Sequence, residues 1–266
     1  MADTPERDDA DDAEWSEHFV GAMGLELWED HGETHARAAL RPQLWAPGTE
    51  ITRLGVFATM ADVVGGSPPT GSLNPTVDLR VTLLRLPPAD GDVQLTARTV
   101  KAGRRLYVGE VLLHTGDEDE PFAHSIVTFI SNRIGDPFTR FGPRPDRAPG
   151  GPTVDEWLRP RFPAPGVAVM EAHAAISNGI AGTIQGGAQA LLAELAGEHA
   201  LAEHGRHHAV DLDIRYVNRA RAGRVAAVAE VLPVDAGDRR VRVALRDGGT
   251  EGLVVSLVAL AYRPTD

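Results

Sequence analysis

Residues 178–194 read NGIAGTIQGGAQALLAE, and residues 46–62 read APGTEITRLGVFATMAD. Laid over each other without a gap, they place Gly55 on Gly187, Ala58 on Ala190, Ala61 on Ala193 and Asp62 on Glu194, an offset of 194 − 62 = 132. Downstream, Val77-Asp78-Leu79 matches Val210-Asp211-Leu212 at 210 − 77 = 133, and Gly103-Arg104-Arg105 resembles Gly237-Asp238-Arg239-Arg240. Three landmarks in one order, at an offset near half of 266 residues, mark an internal duplication.

Each copy carries the same hydropathy pattern. Ala188, Leu191, Leu192 and Leu195 lie at the i, i+3, i+4, i+7 spacing of a helix with one buried face. In the first copy the helix is shorter, ending near Gly65-Gly66 with Pro68-Pro69 behind it. Strands follow: Val77, Leu79, Val81 and Leu83 alternate with polar residues, and Val210, Leu212, Ile214 and Tyr216 repeat the alternation. Further alternating runs cover 92–101, 105–115 and 122–131, then 224–234, 239–246 and 253–262, with Gly- and Asp-rich connections suited to hairpins. Weaker strand patterns precede each helix at 24–30, 34–41 and 167–176. The expected fold class is α+β, in two units that each wrap a long helix in a curled antiparallel sheet. One unit alone exposes a sheet edge and a helix flank, so the two are expected to pack as an internal pseudo-dimer. The expected boundaries are an acidic disordered tail over 1–18, a first unit over 19–133, a Pro/Gly-rich linker over 134–152 and a second unit over 153–266.

The formal charge of −12 argues against a nucleic-acid partner, because binding phosphates along a duplex needs a basic face. The absence of cysteine removes disulfides, thiolate nucleophiles and Cys-based zinc sites. No signal-peptide pattern opens the chain and no apolar run is long enough for a membrane span, so a cytoplasmic protein without a membrane partner is expected. No P-loop, Gly-x-Ser-x-Gly elbow or Gly-x-Gly-x-x-Gly fingerprint stands in its required context.

The order Gly-Gly, apolar, apolar, Ala, x, apolar, Ala, Asp/Glu, followed by Val-Asp-Leu-x-apolar about sixteen residues later, resembles the hotdog-fold acyl-CoA thioesterases, closest to the phenylacetate-pathway and 4-hydroxybenzoyl-CoA groups. The similarity covers roughly residues 20–132 and 155–263. It implies tandem hotdog domains with composite sites across their interface. In such sites the first-turn amides of one helix receive the thioester carbonyl, and an acid two turns along the opposite helix does the chemistry. A helix start has unpartnered N–H groups and a dipole that favours developing negative charge, and glycine there leaves the approach clear.

Carried over by position, the resemblance implies a complete site from Asp62 of the first copy with Asn178, Gln185, Gly186 and Gly187 of the second. Asp62 would act as general base on water or as nucleophile; the sequence does not separate these. The reverse pairing sets Glu194 against Arg53 and Gly55, with Leu54 in place of the first glycine and Ala46 in place of Asn178, and is expected to be degenerate or repurposed. The substrate implied is an acyl-CoA or acyl-carrier thioester, with coenzyme A as part of the substrate and no separate cofactor or metal. Association of two fused pairs into a homodimer is also open.

Plainer readings compete. Asp62 and Glu194 could be ordinary exposed helix residues, Gly186-Gly187 could serve helix packing, and Arg53 could be a solvated arginine or a plug against Glu194. The histidines at 199, 204, 207 and 208 fit a polar helix end better than a metal site. Against hydrolysis stands a non-catalytic acyl-CoA binding or sensing protein of the same fold. A hotdog dehydratase needs a histidine that the first copy lacks at the equivalent place.

Overall fold

The computed structural model describes residues 18–73, 75–116, 120–134, 152–178, 183–221, 223–234, 237–248 and 252–265. The expected tail and nearly all of the expected linker lie outside these. His18 is the exception: it caps a short helix α1 (Phe19–Ala22), its ring accepting the Val20 N–H.

Along the chain follow β1 (Glu26–Asp30), β2 (Glu33–Leu40), α2 (Leu54–Gly65), β3 (Ser72–Leu73), β4 (Thr76–Leu83), β5 (Gly91–Ala102), β6 (Leu106–Thr115), β7 (Ala123–Ile130) and β8 (Arg133–Ile134). The remainder is α3 (Val154–Leu158), β9 (Arg161–Ala164), β10 (Val167–Glu171), β11 (Ser177–Asn178), β12 (Thr183–Ile184), α4 (Gly186–Leu201), β13 (His207–Tyr216), β14 (Arg224–Leu232), β15 (Arg239–Asp247) and β16 (Val254–Pro264). The alternating runs read from the sequence are therefore strands, most ending within two residues of the expected limits. Two details differ. The run 167–176 is a strand only to Glu171 and then a 3-10 turn over Ala174–Ile176, and β9 was not anticipated because its residues, Pro163 among them, are all exposed. An exposed edge strand needs no apolar face and so leaves no alternation to read.

Twelve strands form one antiparallel sheet in the order β1-β2-β5-β6-β7-β4-β13-β16-β15-β14-β10-β9. Counted from either edge inward, the strands come first, second, fourth, fifth, sixth and third in the chain order of their half. The two halves meet at β4 and β13, where Asp211 pairs with Thr82, Asp213 with Arg80 and Arg215 with Asp78. Exchanging residues 133 apart leaves that register unchanged, so Arg80–Asp213 sits on a local twofold axis.

Helices α2 and α4 pack on the sheet and on each other. In α2, ten of twelve residues are buried, and in α4 buried residues fall on every side of the first three turns. One buried stripe was expected; the second helix covers the face that solvent would otherwise hold, and the residues there are Ala, Gly, Thr and Leu.

Candidate active site

The two long helices start alike. Arg53 and Gln185 precede them in extended conformation, with φ near −60° and ψ near 140° in both. A bridge between Trp45 and Thr52 lies before α2, and the pair Ser177–Ile184 lies before α4, again 132 residues apart. The helices cross at their first turns. A Cβ on Gly55 would stand 2.9 Å from Leu191 Cα, and one on Gly187 would overlap Thr59 Oγ1. These contacts exchange under the same offset (187 − 55 = 191 − 59 = 132), so each helix tip faces equivalent residues of the other helix. Both glycines are therefore explained by close helix approach.

The α2 tip is filled. Glu194, from α4, accepts hydrogen bonds from Gly55 N–H (2.6 Å) and Leu54 N–H (3.2 Å). Arg53 is 2% exposed and stands beside it. Its guanidinium donates to both oxygens of Asp155 (2.5 and 2.7 Å) and to Glu198 (2.8 Å), and lies 3.7 Å from Glu194. Three carboxylates thus share one buried cation. Burial pushes both acids above the usual carboxylate range, with repulsion from Glu198 adding to it at Glu194 and from Asp155 at Glu198, while Arg53 stays charged. Arg53 is not a solvated arginine, and with Gly55 and Glu194 it forms a closed network rather than an open binding surface.

The α4 tip is different. Gln185 caps it, its Oε1 accepting from Ala188 N–H at 3.0 Å. The N–H groups of Gly186 and Gly187, equivalent to the two that Glu194 occupies, have no hydrogen-bond partner among the described residues. The acid equivalent to Glu194 is Asp62, one methylene shorter, and its Oδ1 accepts from Thr76 Oγ1 at 2.7 Å. Burial raises its pKa to about 6, against which the Thr76 hydrogen bond acts in the other direction. Tyr216, the last residue of β13, joins the two sides. Its hydroxyl lies 2.9 Å from where a Cβ on Gly186 would be, and Asp62 is near enough for its charge to act on the phenol. The segment before the tip is pinned by the buried Gln189, whose Nε2 donates to Ile184 O while its Oε1 accepts from Ser256 Oγ.

Structural comparison decides what kind of scaffold this is. A protein of unknown function with a hot dog fold from Alicyclobacillus acidocaldarius superposes with a TM-score of 0.63 at 13% identity, over 94% of this chain and 98% of that one. This chain has the hotdog fold. The TesB protein of Mycobacterium avium subspecies paratuberculosis matches at TM-score 0.63 and 12% identity, over 93% and 98% of the two chains. The 12:0-ACP thioesterase of Umbellularia californica matches at TM-score 0.59 and 12% identity, over 88% and 94%. No family model and no curated protein matches the sequence.

On this hotdog scaffold, the expected residues are distributed as follows. Gln185, Gly186 and Gly187 start α4 where Thr59 of α2 packs on it, and Asp62 lies three residues further along α2, within electrostatic reach of Tyr216. Asn178 ends β11, paired with Thr183 one strand before the tip; residues 179–182 lie outside the described residues. Arg53, Gly55 and Glu194 gather at the other tip and satisfy one another. The histidines near the end of α4 form no metal-binding group, and none is found among the described residues; the His199 ring accepts from Gly166 N–H and packs on Phe162. No described helix is long and apolar enough to cross a membrane. Sequence reading missed Asp155, Glu198, Thr76 and Tyr216. Only Tyr216 left a trace, as a polar-tipped residue in an apolar strand position.

Proposed function

We propose that this protein is an acyl-CoA thioesterase built from two fused hotdog units, residues 19–133 and 153–266, with one working site. The units form an internal pseudo-dimer. The repeated strand order, the twofold β4–β13 register and the paired helix crossings support that division.

One observation carries the chemistry. At the α2 tip a carboxylate oxygen rests 2.6 Å from the Gly55 amide, which marks the place where an anionic oxygen is held on such a tip. The same place at α4 has no protein partner among the described residues, and the acid that corresponds to Glu194 there is the short, half-buried Asp62. A thioester carbonyl seated there points its oxygen at the Gly186 and Gly187 amides. Asp62 takes a proton from water as the water oxygen bonds to the carbonyl carbon. The amides hold the resulting oxyanion, each worth about 3–4 kcal/mol by the measure of comparable oxyanion donors. Collapse of the tetrahedral intermediate breaks the carbon–sulfur bond, and the proton held by Asp62 leaves with the thiolate. Water, a carboxylate and two amides suffice, so no cofactor takes part. Gln185 holds the tip in shape, and Asn178 at the end of β11 orients the substrate. The named thioesterases of the same fold support this class of reaction.

The test is thiol release from a panel of acyl- and aroyl-CoAs and acyl-carrier thioesters. Wild type is expected to hydrolyse at least one. Asp62→Asn is expected to lose roughly 10³-fold or more in kcat, as removal of an essential acid–base group does, and Glu194→Gln to keep turnover. Tight binding without hydrolysis across the panel would make the protein a sensor instead, and loss confined to Glu194→Gln would move the site to the other tip.

A further inference from the structure

We propose that Tyr216 donates a hydrogen bond to the thioester carbonyl oxygen, as a third donor beside the amides of Gly186 and Gly187. The proposal rests on the thioester reading above and adds a side chain to the oxyanion site.

Three observations carry it. The first is position. The phenol oxygen lies at the open helix tip, 2.9 Å from the missing Cβ of Gly186, and within reach of the charge of Asp62. The second is satisfaction. Of the three tyrosines in the chain, Tyr262 donates to Glu194 O (2.7 Å) and Tyr107 bonds Thr99 Oγ1 (2.9 Å). Tyr216 is partly buried, and its hydroxyl has no partner among the described residues. Solvent still reaches the hydroxyl, and a phenol with no protein acceptor is free to donate to a ligand atom that takes the place of water.

The third is the comparison the duplication supplies. Residue 83 stands to the first half as 216 stands to the second: Leu83 pairs with Ala123, Tyr216 with Ser256, each 133 apart. At the open tip Gly186 lies against Tyr216, and by the same offsets their counterparts in the first half are Leu54 and Leu83. The exchange of a large for a small residue above is matched by a larger ring below, so volume explains an aromatic residue at 216. Volume does not explain the hydroxyl, because phenylalanine fills nearly the same space. Burial and the negative charge of Asp62 hold the phenol pKa well above its ordinary value, so Tyr216 keeps its proton and acts as a donor, not as a base.

The experiment compares wild type with Tyr216→Phe in thiol release on the best substrate of the panel. The expected result is a ~10²-fold fall in kcat with KM within about threefold, the signature of a contact made mainly in the transition state. The midpoint of thermal unfolding is expected to stay level or rise, since an unpaired polar group is removed. Unchanged kcat, or a rise in KM alone, overturns the proposal. So does a shift of the acid limb of the pH profile, which would mean that Tyr216 serves Asp62 rather than the substrate. If Tyr216→Phe loses stability, Tyr216→Leu, the first half's own residue, is assayed well below both unfolding temperatures; recovered turnover there overturns the proposal. On an Asp62→Asn background the carbonyl stretch of the bound thioester is expected to move to higher frequency when Tyr216→Phe is added, and no movement counts against it. A wild type that releases no thiol from any thioester fails the thioesterase reading itself, whereas an active wild type matched by Tyr216→Phe fails only this inference.

Discussion

The two helix tips of this molecule share one backbone and differ in what fills them. At α2, Glu194 reaches the Leu54 and Gly55 amides and is braced by a buried arginine; at α4, the equivalent Asp62 turns to Thr76 and leaves the Gly186 and Gly187 amides open. A single methylene accounts for much of that contrast. The longer acid can span the gap between helices and cap its neighbour, satisfying two orphan donors and the helix dipole. The shorter one makes no such bond and is left half-buried with its proton affinity raised. Around the closed tip the companions are Arg53, Leu54 and Phe57; around the open tip they are Gln185, Gly186 and Gln189. One tip is filled by side chains that satisfy it, and the other keeps two amides without a partner among the described residues.

The largest expected effect breaks the closed side. Arg53→Met leaves Asp155, Glu194 and Glu198 without their shared cation, and loss of one partner of a buried ion pair costs about 3–5 kcal/mol. Glu194 and Glu198 then bind protons more tightly in the folded state than in the unfolded one. Folding stability lost at pH 8 is therefore expected to return partly as pH falls toward 5, while kcat measured below the unfolding transition stays at the wild-type level. Urea unfolding at the two pH values reads this directly. Equal losses at both would show that Arg53 acts by packing alone.

A second change turns the open tip into a copy of the closed one. Asp62→Glu supplies the missing methylene, so its carboxylate is expected to settle on the Gly186 and Gly187 amides as Glu194 does on theirs. Turnover should then fall by roughly 10²–10³-fold, as when oxyanion donors are removed, while the unfolding temperature rises. Retained turnover with unchanged stability would mean that the two tips are not geometrically equivalent.

Much of this contrast could be read from the chain, and the rest could not for identifiable reasons. The strands were legible because alternation is a local pattern, unmistakable in β4 and β13, and the two acids drew notice because Asp62 and Glu194 align without a gap. The environment of Arg53 was not, because its partners Asp155 and Glu198 are 102 and 145 residues away in the chain. Gly186-Gly187 suggested a cleared approach for substrate; the structure adds that Tyr216 and Thr59 pack against those same positions. Tyr216 itself fitted the strand alternation, and its polar tip was a trace too weak to single it out. Satisfaction of a polar group is a property of three-dimensional neighbours, and no spacing rule reports it.

The smallest effect concerns how finely the open acid is tuned. The folded-state pKa of Asp62, about 6, lies above its ordinary value of 3.8, so the stability tied to it is fully present below pH 4 and is lost as pH rises through 6. Turnover runs the other way, since Asp62 must be ionised to accept a proton, and kcat/KM should climb through the same interval. The Thr76 hydroxyl donates to the ionised form and so holds the pKa down. Removing it with Thr76→Val is expected to move the acid limb of kcat/KM upward by about one pH unit, the equivalent of about 1.4 kcal/mol for a hydrogen bond to a charged group. At pH 6 the variant should therefore be several-fold slower than wild type, and above pH 8 the two should converge. The equivalent acid at the closed tip has no part in the limb, so Glu194→Gln should leave its position unchanged. A limb that ignores Thr76 but follows Glu194 would reverse the assignment of the two tips.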